Sequence, residues 1–167
     1  MCLATTQPGP LYAIENISVY KVITKRFHRD YLNQIIDDNK IELVAPYLGF
    51  KYEQGVLYET KILETDEEQM YDYIAIRDFQ RIKSQDIPYK IIAEGFHSIY
   101  NIHRNLMSPF ELFGLYGPNG LFRCMVPKGA EYYKDNTGLM VSNKIIIGNE
   151  VDPNELKNSR KNNMLCA

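Results

Sequence analysis

Apolar and polar residues alternate in short runs along much of this chain, and glycine or proline separates the runs. The segment 17–23 (ISVYKVI) alternates and is rich in β-branched residues, so it predicts a strand. The segments 89–94 (YKIIAE), 121–126 (LFRCMV) and 139–147 (LMVSNKIII) predict further strands, and we expect the last two at the centre of a sheet. The motifs PKG and KDNTG predict turns between strands.

The segment 40–63 predicts two or three short strands. Pro46, Gly49 and Gly55 divide it, since proline and glycine interrupt a strand ladder. Gln54 and Gly55 supply a turn between KYE and VLYET. A β-hairpin therefore fits this stretch best.

Apolar residues spaced by three and four predict a first short helix. The segment 29–39 has this spacing at Tyr31, Leu32, Ile35 and Ile36, with polar residues between them. Such a pattern is typical of an amphipathic helix that lays one face on a core.

Two further stretches carry helix signals. Thr65 and Glu68 have the spacing of a capping box, and acidic residues suit the start of a helix. From 70 to 82 apolar residues step by three, as on a helix face, although part of this stretch alternates as a strand does. Length favours the helix, which would end before Pro88.

Gly95 is expected to end the strand before it, where the chain would turn into a helix. Ser98 or Asn101 could cap that helix, which would run through Leu106. The pair Ser108-Pro109 would restart a helix, with serine at the cap and proline at the first position.

Length and composition fit one α+β domain. A chain of 167 residues with 45% hydrophobic residues supports one compact core, whereas two cores would each be marginally small. The 13 tyrosines and 7 phenylalanines, without tryptophan, favour half-buried sheet positions. We therefore expect a mostly antiparallel β-sheet with a few short helices over residues 1–151, followed by a short helix and a polar tail at 152–167.

Charge and cysteine content narrow the class of function. With 19 basic and 21 acidic residues the net charge is -2, which provides no basic surface for a nucleic acid. No segment approaches the roughly 20 apolar residues that cross a bilayer, and the N-terminus lacks a signal-peptide pattern, so we expect a cytoplasmic protein without a membrane partner. Cys2, Cys124 and Cys166 are odd in number and far apart, which predicts neither a disulfide framework nor a thiolate metal site.

The segment 94–103 (EGFHSIYNIH) carries the strongest candidate for reactive chemistry, His97. His97 could act as a general base, with Ser98 or Cys124 as a nucleophile if the fold brings them within hydrogen-bond reach. The favoured alternative is that its ring fixes a turn by bonding a backbone carbonyl, because no orienting Asp or Asn is identifiable. Cys124 lies in an apolar run and is expected in the core. Cys2 would be an N-terminal nucleophile if the initiator methionine were removed, and it also lacks an orienting partner.

No residue pattern predicts a metal site or a cofactor. His28 and His103 have no partner at metal-ligand spacing, and the glycines at 114, 117 and 120 match no phosphate-binding loop. Some of the tyrosines could form a recognition patch, although half-buried sheet positions explain them equally well. These are Tyr71, Tyr73, Tyr132 and Tyr133.

The chain contains, in order, MCL at its N-terminus, ISVYKVI, APYLGFKYEQGVLYET, EGFHSIY, CMVPKGAEYY and VSNKIIIG. This ordered set resembles a family of small uncharacterised proteins of gut bacteria and their phages. The resemblance leaves out about 26–40, much of 61–86 and the tail after about 151. Most recurring positions have a structural explanation as turn glycines or core aromatics. They are Cys2, Gly49, Phe50, Tyr52, Gly55, Tyr58, Gly95, Phe96, His97, Ser98, Cys124, Pro127, Lys128, Gly129, Tyr132, Tyr133 and Ser142.

The resemblance implies two alternative functions, and its polar positions with a claim to either are His97, Ser98, Lys128 and Ser142. One is a binding protein for host interaction, counter-defence or the virion, with another protein or a small molecule as partner at an aromatic-rimmed surface. The other is a small hydrolase or transferase built around His97, with Ser98 or Cys124 as its nucleophile and Lys128 as an anion or oxyanion donor. We favour the binding protein, in the host cytoplasm or the virion, because the enzyme hypothesis has no third catalytic residue.

Overall fold

A computed structural model describes residues 3–29, 35–45, 50–65, 88–102 and 119–152. Within these ranges the chain forms strands that pair antiparallel throughout, and no helix occurs there. The strands are β1 (Leu3–Thr5), β2 (Leu11–Tyr12), β3 (Ile17–Arg29), β4 (Ile35–Val44), β5 (Lys51–Tyr52), β6 (Leu57–Glu59), β7 (Leu63–Thr65), β8 (Lys90–Glu94), β9 (Phe96–Ile99), β10 (Asn119–Val126), β11 (Glu131–Lys134), β12 (Leu139–Ser142) and β13 (Lys144–Glu150).

The strands form a large sheet and a small one. The 10-stranded sheet has the order β2-β11-β12-β9-β3-β10-β13-β6, with β4 paired to β3 and β5 paired to β4. The 3-stranded sheet has the order β1-β8-β7. The expectation of a mostly antiparallel, β-rich fold is thus confirmed, whereas the expected helices are not confirmed.

The ladder between β3 and β10 is the centre of the large sheet. It runs without a break from Ile17 opposite Val126 to Thr24 opposite Asn119. Alternation places Val19 and Ile23 on the same face as Cys124, and all are buried. The strands predicted at 17–23 and 121–126 are confirmed, and the second is central as expected.

One face of the large sheet encloses the main core. The core cluster includes residues near the β2 end of the sheet, such as Ala13 and Ala130, together with Tyr52 and Ile145 near the β6 end. β5, which joins the sheet through β4, and β6, which joins it through β13, are linked directly by the short turn 53–56, so this part of the sheet curls. This curvature follows from the twist that extended strands of L-residues adopt.

The small sheet packs on the opposite face of the large one. Leu3 and Ile92 form a second cluster with Tyr133 and Val141 of the large sheet. The Thr5 hydroxyl donates to the backbone oxygen of Lys134 at 2.6 Å, which ties the two sheets together. The molecule is therefore layered, with β11 and β12 contributing side chains to both cores.

Gly95 carries the chain from the small sheet to the large one. It ends β8, as the sequence predicts, and has φ +134°, a region that favours glycine. A Cβ atom at this position would lie 2.4 Å from Val141 Cγ1, so glycine also allows the close approach of β12. The chain continues directly into β9, which contains Ser98, so the prediction of Ser98 as a helix cap is wrong.

The prediction of a helix at 29–39 is also wrong for those of its residues that the structure describes. Arg29 ends β3, and Ile35–Val44 is a strand that pairs with the far half of β3. The free edge of the long β3 provides a hydrogen-bonding partner, and that tertiary pairing overrides a weak helical spacing. The helices predicted after Thr65, after Asn101 and at the C-terminus fall outside the described residues.

The short strands of 40–63 are confirmed, but their pairing differs from a simple hairpin. β5 pairs with β4, whereas β6 pairs with β13. The predicted turn at Gln54 and Gly55 therefore bridges two parts of the sheet. The strand predicted at 139–147 is divided at Asn143, whose side-chain oxygen accepts a hydrogen bond from the Glu131 backbone at 2.9 Å.

Candidate functional site: a buried lysine beneath an aromatic cluster

The residues that the sequence singled out for catalysis do not share one face of the sheet. His97 lies opposite Val141, which belongs to the core under the small sheet. Ser98 lies opposite Met140, which belongs to the main core with Cys124. Because successive residues of a strand point to opposite faces, the His97 ring is directed away from both proposed nucleophiles.

The His97 ring is held at the Gly95 crossover. Its Nδ1 lies 3.3 Å from the Gly95 backbone oxygen, and because a carbonyl can only accept, Nδ1 carries the proton in this contact. Nε2 is enclosed and makes no hydrogen bond with the residues that the structure describes. Burial, with a smaller effect of the Lys21 charge, lowers the pKa of His97 from 6.5 to about 3. His97 is therefore neutral near pH 7 and bonded as in the structural alternative.

The other polar candidates are dispersed. Ser98 is buried and its hydroxyl has no hydrogen-bond partner in the described part of the chain, while the Ser142 hydroxyl donates to the Lys144 backbone oxygen at 2.9 Å. Burial raises the pKa of the Cys124 thiol, which disfavours the nucleophilic thiolate. Lys128 lies in the exposed turn after β10, where its backbone N–H donates to Asn16 at 3.0 Å.

The described part of the chain contains no group of His, Cys, Asp or Glu side chains arranged to hold a metal ion. Nor does it contain a helix long and apolar enough to cross a membrane. Tyr133 is buried between the two sheets and Tyr132 is partly buried, as expected of sheet positions. Cys2, Tyr71, Tyr73, His103 and the side chain of His28 lie outside the described residues.

Lys21 is the ionisable residue that the sequence prediction missed. It is only 9% exposed, and its Nζ donates to the backbone oxygen of His97 at 2.7 Å. Nζ also lies 5.8 Å from the centre of the Tyr52 ring. No ion pair of Lys21 with a carboxylate occurs among the described residues. Burial lowers the pKa of this ammonium from 10.5 to about 8, because the loss of solvation outweighs the smaller, opposite effect of Cys124.

The position of Lys21 follows from an interruption in the sheet. β3 and β9 share one register pair, Tyr20 with Ile99, and the ladder does not continue toward His97. The Lys21 ammonium bonds the His97 carbonyl at this interruption, where a backbone N–H would otherwise do so. The sequence ISVYKVI already indicates a buried Lys21, since it shares one face of the strand with the apolar residues Ile17, Val19 and Ile23.

Phe50, Tyr52 and Tyr58 form what we term the aromatic cluster. Their ring centres lie 5.1 Å (Phe50–Tyr52), 5.5 Å (Phe50–Tyr58) and 5.3 Å (Tyr52–Tyr58) apart, each pair edge to face. Tyr52 is 7% exposed and continues into the main core, whereas Phe50 is 48% exposed. Edge-to-face packing is favourable for aromatic rings, so the cluster is a stable way to present an apolar ring to solvent.

The turn between β5 and β6 holds the aromatic cluster in place. The Glu53 backbone N–H donates to the Tyr58 hydroxyl at 2.6 Å. The Gly55 N–H donates to the Ile147 oxygen at 2.8 Å, and the Gln54 amide donates to the Gly148 oxygen at 3.1 Å. Gly55 has φ +77°, which glycine adopts without strain. These bonds anchor the turn to β13, so the rings are positioned by the sheet.

This arrangement is suited to recognition. A half-exposed aromatic side chain, rigidly backed by two further rings, is typical of residues that dominate binding energy at protein interfaces. Val56 and Leu57, which are 39% and 46% exposed, follow the same turn and enlarge the apolar surface. Burial raises the pKa of Tyr52 above its ordinary value, so its hydroxyl remains uncharged.

Comparison of the chain with protein-family models, with curated proteins and with solved structures finds no match.

Proposed function

We propose that this chain is a non-enzymatic binding protein that recognises another protein through the aromatic cluster. The partner would place an apolar side chain against Phe50, at the point where the main core reaches the surface. The observation that carries the proposal is the exposure of Phe50, 48%, on a ring that is packed edge to face on Tyr52 and Tyr58. Such anchored aromatic residues provide contact area with little further loss of conformational entropy.

The positions of His97 and Cys124 support binding over catalysis. His97 faces the small sheet, Cys124 faces the main core, and the Ser98 hydroxyl bonds to none of the described residues. A nucleophile and its base must lie within hydrogen-bond reach of each other or of a shared water. A recognition surface requires no such constellation.

The proposal is tested by selecting peptides that bind the immobilised protein from a displayed random-peptide library. Selected peptides are then synthesised and their affinity is measured by fluorescence anisotropy. We expect Phe50→Ser to weaken binding by roughly tenfold or more, as for an interface hot spot. Phe50→Leu, which keeps an apolar side chain without the ring, is expected to weaken it less.

Ile14→Ser is the matched control, because Ile14 is 85% exposed and lies in the loop between β2 and β3. It removes a larger exposed apolar surface from a loop that is not part of the aromatic cluster, so binding is expected to stay unchanged. Thermal unfolding of each variant shows whether the fold persists. Peptides that bind the folded Phe50→Ser and Phe50→Leu variants as tightly as the original chain would refute the proposal.

A further inference from the structure

We infer that the segment recognised by the aromatic cluster carries a basic residue beside its apolar anchor, and that Glu53 is the carboxylate that selects it. This inference rests on the proposed function and specifies the chemistry of the partner. It follows from the ion pairing of the charged side chains on the strands around the cluster.

The other described glutamates of these strands already have basic partners. Glu42 pairs with Lys51 at 2.7 Å, and Glu150 pairs with Lys25 at 2.7 Å. Across the β6–β13 ladder, Glu59 of β6 pairs with Lys144 at 2.9 Å. These carboxylates are neutralised within the sheet and attract a partner's charge only weakly.

Glu53 differs from these three glutamates in its pairing. It is exposed, and among the described residues no basic group forms an ion pair with its carboxylate. Its backbone N–H is bonded to the Tyr58 hydroxyl at 2.6 Å, which fixes the residue directly against the aromatic cluster. Because the backbone of Glu53 is held at the Tyr58 hydroxyl, its carboxylate lies within the reach of one side chain of that hydroxyl, beside the apolar surface.

A negative charge at the rim of an apolar anchor site selects a positive charge on the partner. Complementary rim charges contribute mainly to specificity and to the rate of association, and salt screens them. The turn that carries Glu53 is anchored to β13 by the Gly55 and Gln54 hydrogen bonds, so the charge is fixed before binding. An extended segment with an aromatic or aliphatic residue next to lysine or arginine matches this surface.

The experiment is a parallel selection of displayed random peptides on the original chain, on Glu53→Lys and on Glu15→Lys. Glu15 is an exposed glutamate in the loop between β2 and β3, so Glu15→Lys makes the same change in net charge outside the turn that carries Glu53. We expect lysine and arginine to be enriched beside the apolar residue in peptides selected by the original chain and by Glu15→Lys. Glu53→Lys is expected to select acidic residues at that position instead.

A representative synthetic peptide is then measured against the original chain and Glu53→Gln. We expect roughly two- to fivefold weaker binding to Glu53→Gln at low salt, the range of an exposed ion pair, and a smaller difference at high salt. Peptides that depend on Phe50 but show no basic enrichment, with equal affinity for Glu53→Gln, would overturn this inference and leave the proposed function standing. If no selected peptide depends on Phe50, both fail.

Discussion

Lys21 occupies a position on β3 that alternation assigns to the apolar face of the sheet. An ammonium group there loses most of its hydration and regains one hydrogen bond, to the His97 carbonyl, and one aromatic contact, with Tyr52. The charged form is therefore less stable in the folded protein than in the unfolded chain. Protonation of Lys21 and folding are consequently coupled.

The first prediction concerns the pH dependence of Lys21→Met. The folded pKa of Lys21 is about 8 and its ordinary value is 10.5, so between these values the unfolded chain binds the proton more readily than the folded protein. Stability of the original chain should therefore rise with pH across this window. Relative to Lys21→Met, we expect its free energy of unfolding to increase by roughly 1–2 kcal/mol from about pH 7.5 to 9.5. Urea denaturation at both pH values measures the difference.

Lys25→Met is the control for this prediction, because Lys25 lies on the same strand but is paired with Glu150 near the surface. The free energy of unfolding of Lys25→Met should increase with pH as much as that of the original chain. The thirteen tyrosines are unchanged in both variants, so their ionisation cancels in the comparison. An equal pH slope in Lys21→Met and in the original chain would show that Lys21 is not the coupled group.

The second prediction concerns His97 at acidic pH. Its folded pKa of about 3 is below the ordinary 6.5, so below pH 6.5 the unfolded chain takes up a proton that the folded protein excludes. Stability conferred by neutral His97 is lost as pH falls. We expect His97→Gln to remove about 1 kcal/mol of the stability loss between about pH 7 and 5.5, as measured by urea denaturation. An unchanged loss in the variant would indicate that His97 protonates freely in the folded state.

At the residue scale, sequence and structure agree on His97 and diverge on Lys21. The lack of an orienting residue in the sequence favours a structural His97, and the ring does bond a backbone carbonyl. Lys21 lay on a visible apolar face, but alternation alone does not reveal whether a lysine chain reaches solvent. Its burial depends on the interrupted β3–β9 ladder and on Tyr52, both products of distant pairing.

At the scale of elements, Gly95 connects two strands that belong to different sheets. β8 ends in the small sheet and β9 begins in the large one without an intervening loop. This requires a backbone conformation that L-residues rarely adopt and leaves no room for a side chain against Val141. The crossover thereby positions the His97 backbone carbonyl, which accepts the hydrogen bond from Lys21.

The third prediction is that Gly95→Ala destabilises the protein by about 1–3 kcal/mol, from the unfavourable backbone conformation and the contact with Val141. Gly9→Ala is the control, because no atom lies within 4 Å of a Cβ at Gly9 and its φ is not in the positive region. It should leave stability unchanged or slightly raised. Chemical denaturation compares both with the original chain. Equal stability of Gly95→Ala and Gly9→Ala would mean that the crossover tolerates a side chain.

Element positions were easier to predict than element partners. Alternation located β3, β8 and β10, because the period of two is a local property of the sequence. The same local signals could not show that β4 would pair with β3, or that β5 and β6 would join different neighbours. Phe50 was noted only as a recurring position, since its exposure depends on those pairings.

At the scale of the whole molecule, the two sheets share structure and should unfold together. Ile92 of the small sheet is fully buried against Tyr133 and Val141 of the large one. The Tyr133 hydroxyl also donates to Glu64 of β7 at 3.2 Å, which adds a polar link across the layers. Because β11 and β12 serve both cores, loss of one layer would expose apolar surface of the other.

The last prediction tests this coupling with Ile92→Ala. Deletion of a fully buried isoleucine side chain costs about 2–5 kcal/mol, and we expect the whole loss to appear in a single unfolding transition. Leu63→Ala, in the same small sheet but 45% exposed, should change stability by less than about 0.5 kcal/mol. Far-UV circular dichroism and tyrosine fluorescence, followed through the same urea titration, report strand content and ring packing. If Ile92→Ala instead unfolded in two steps, with an early partial loss of strand signal, the small sheet would be an independent unit and the aromatic cluster would not depend on it.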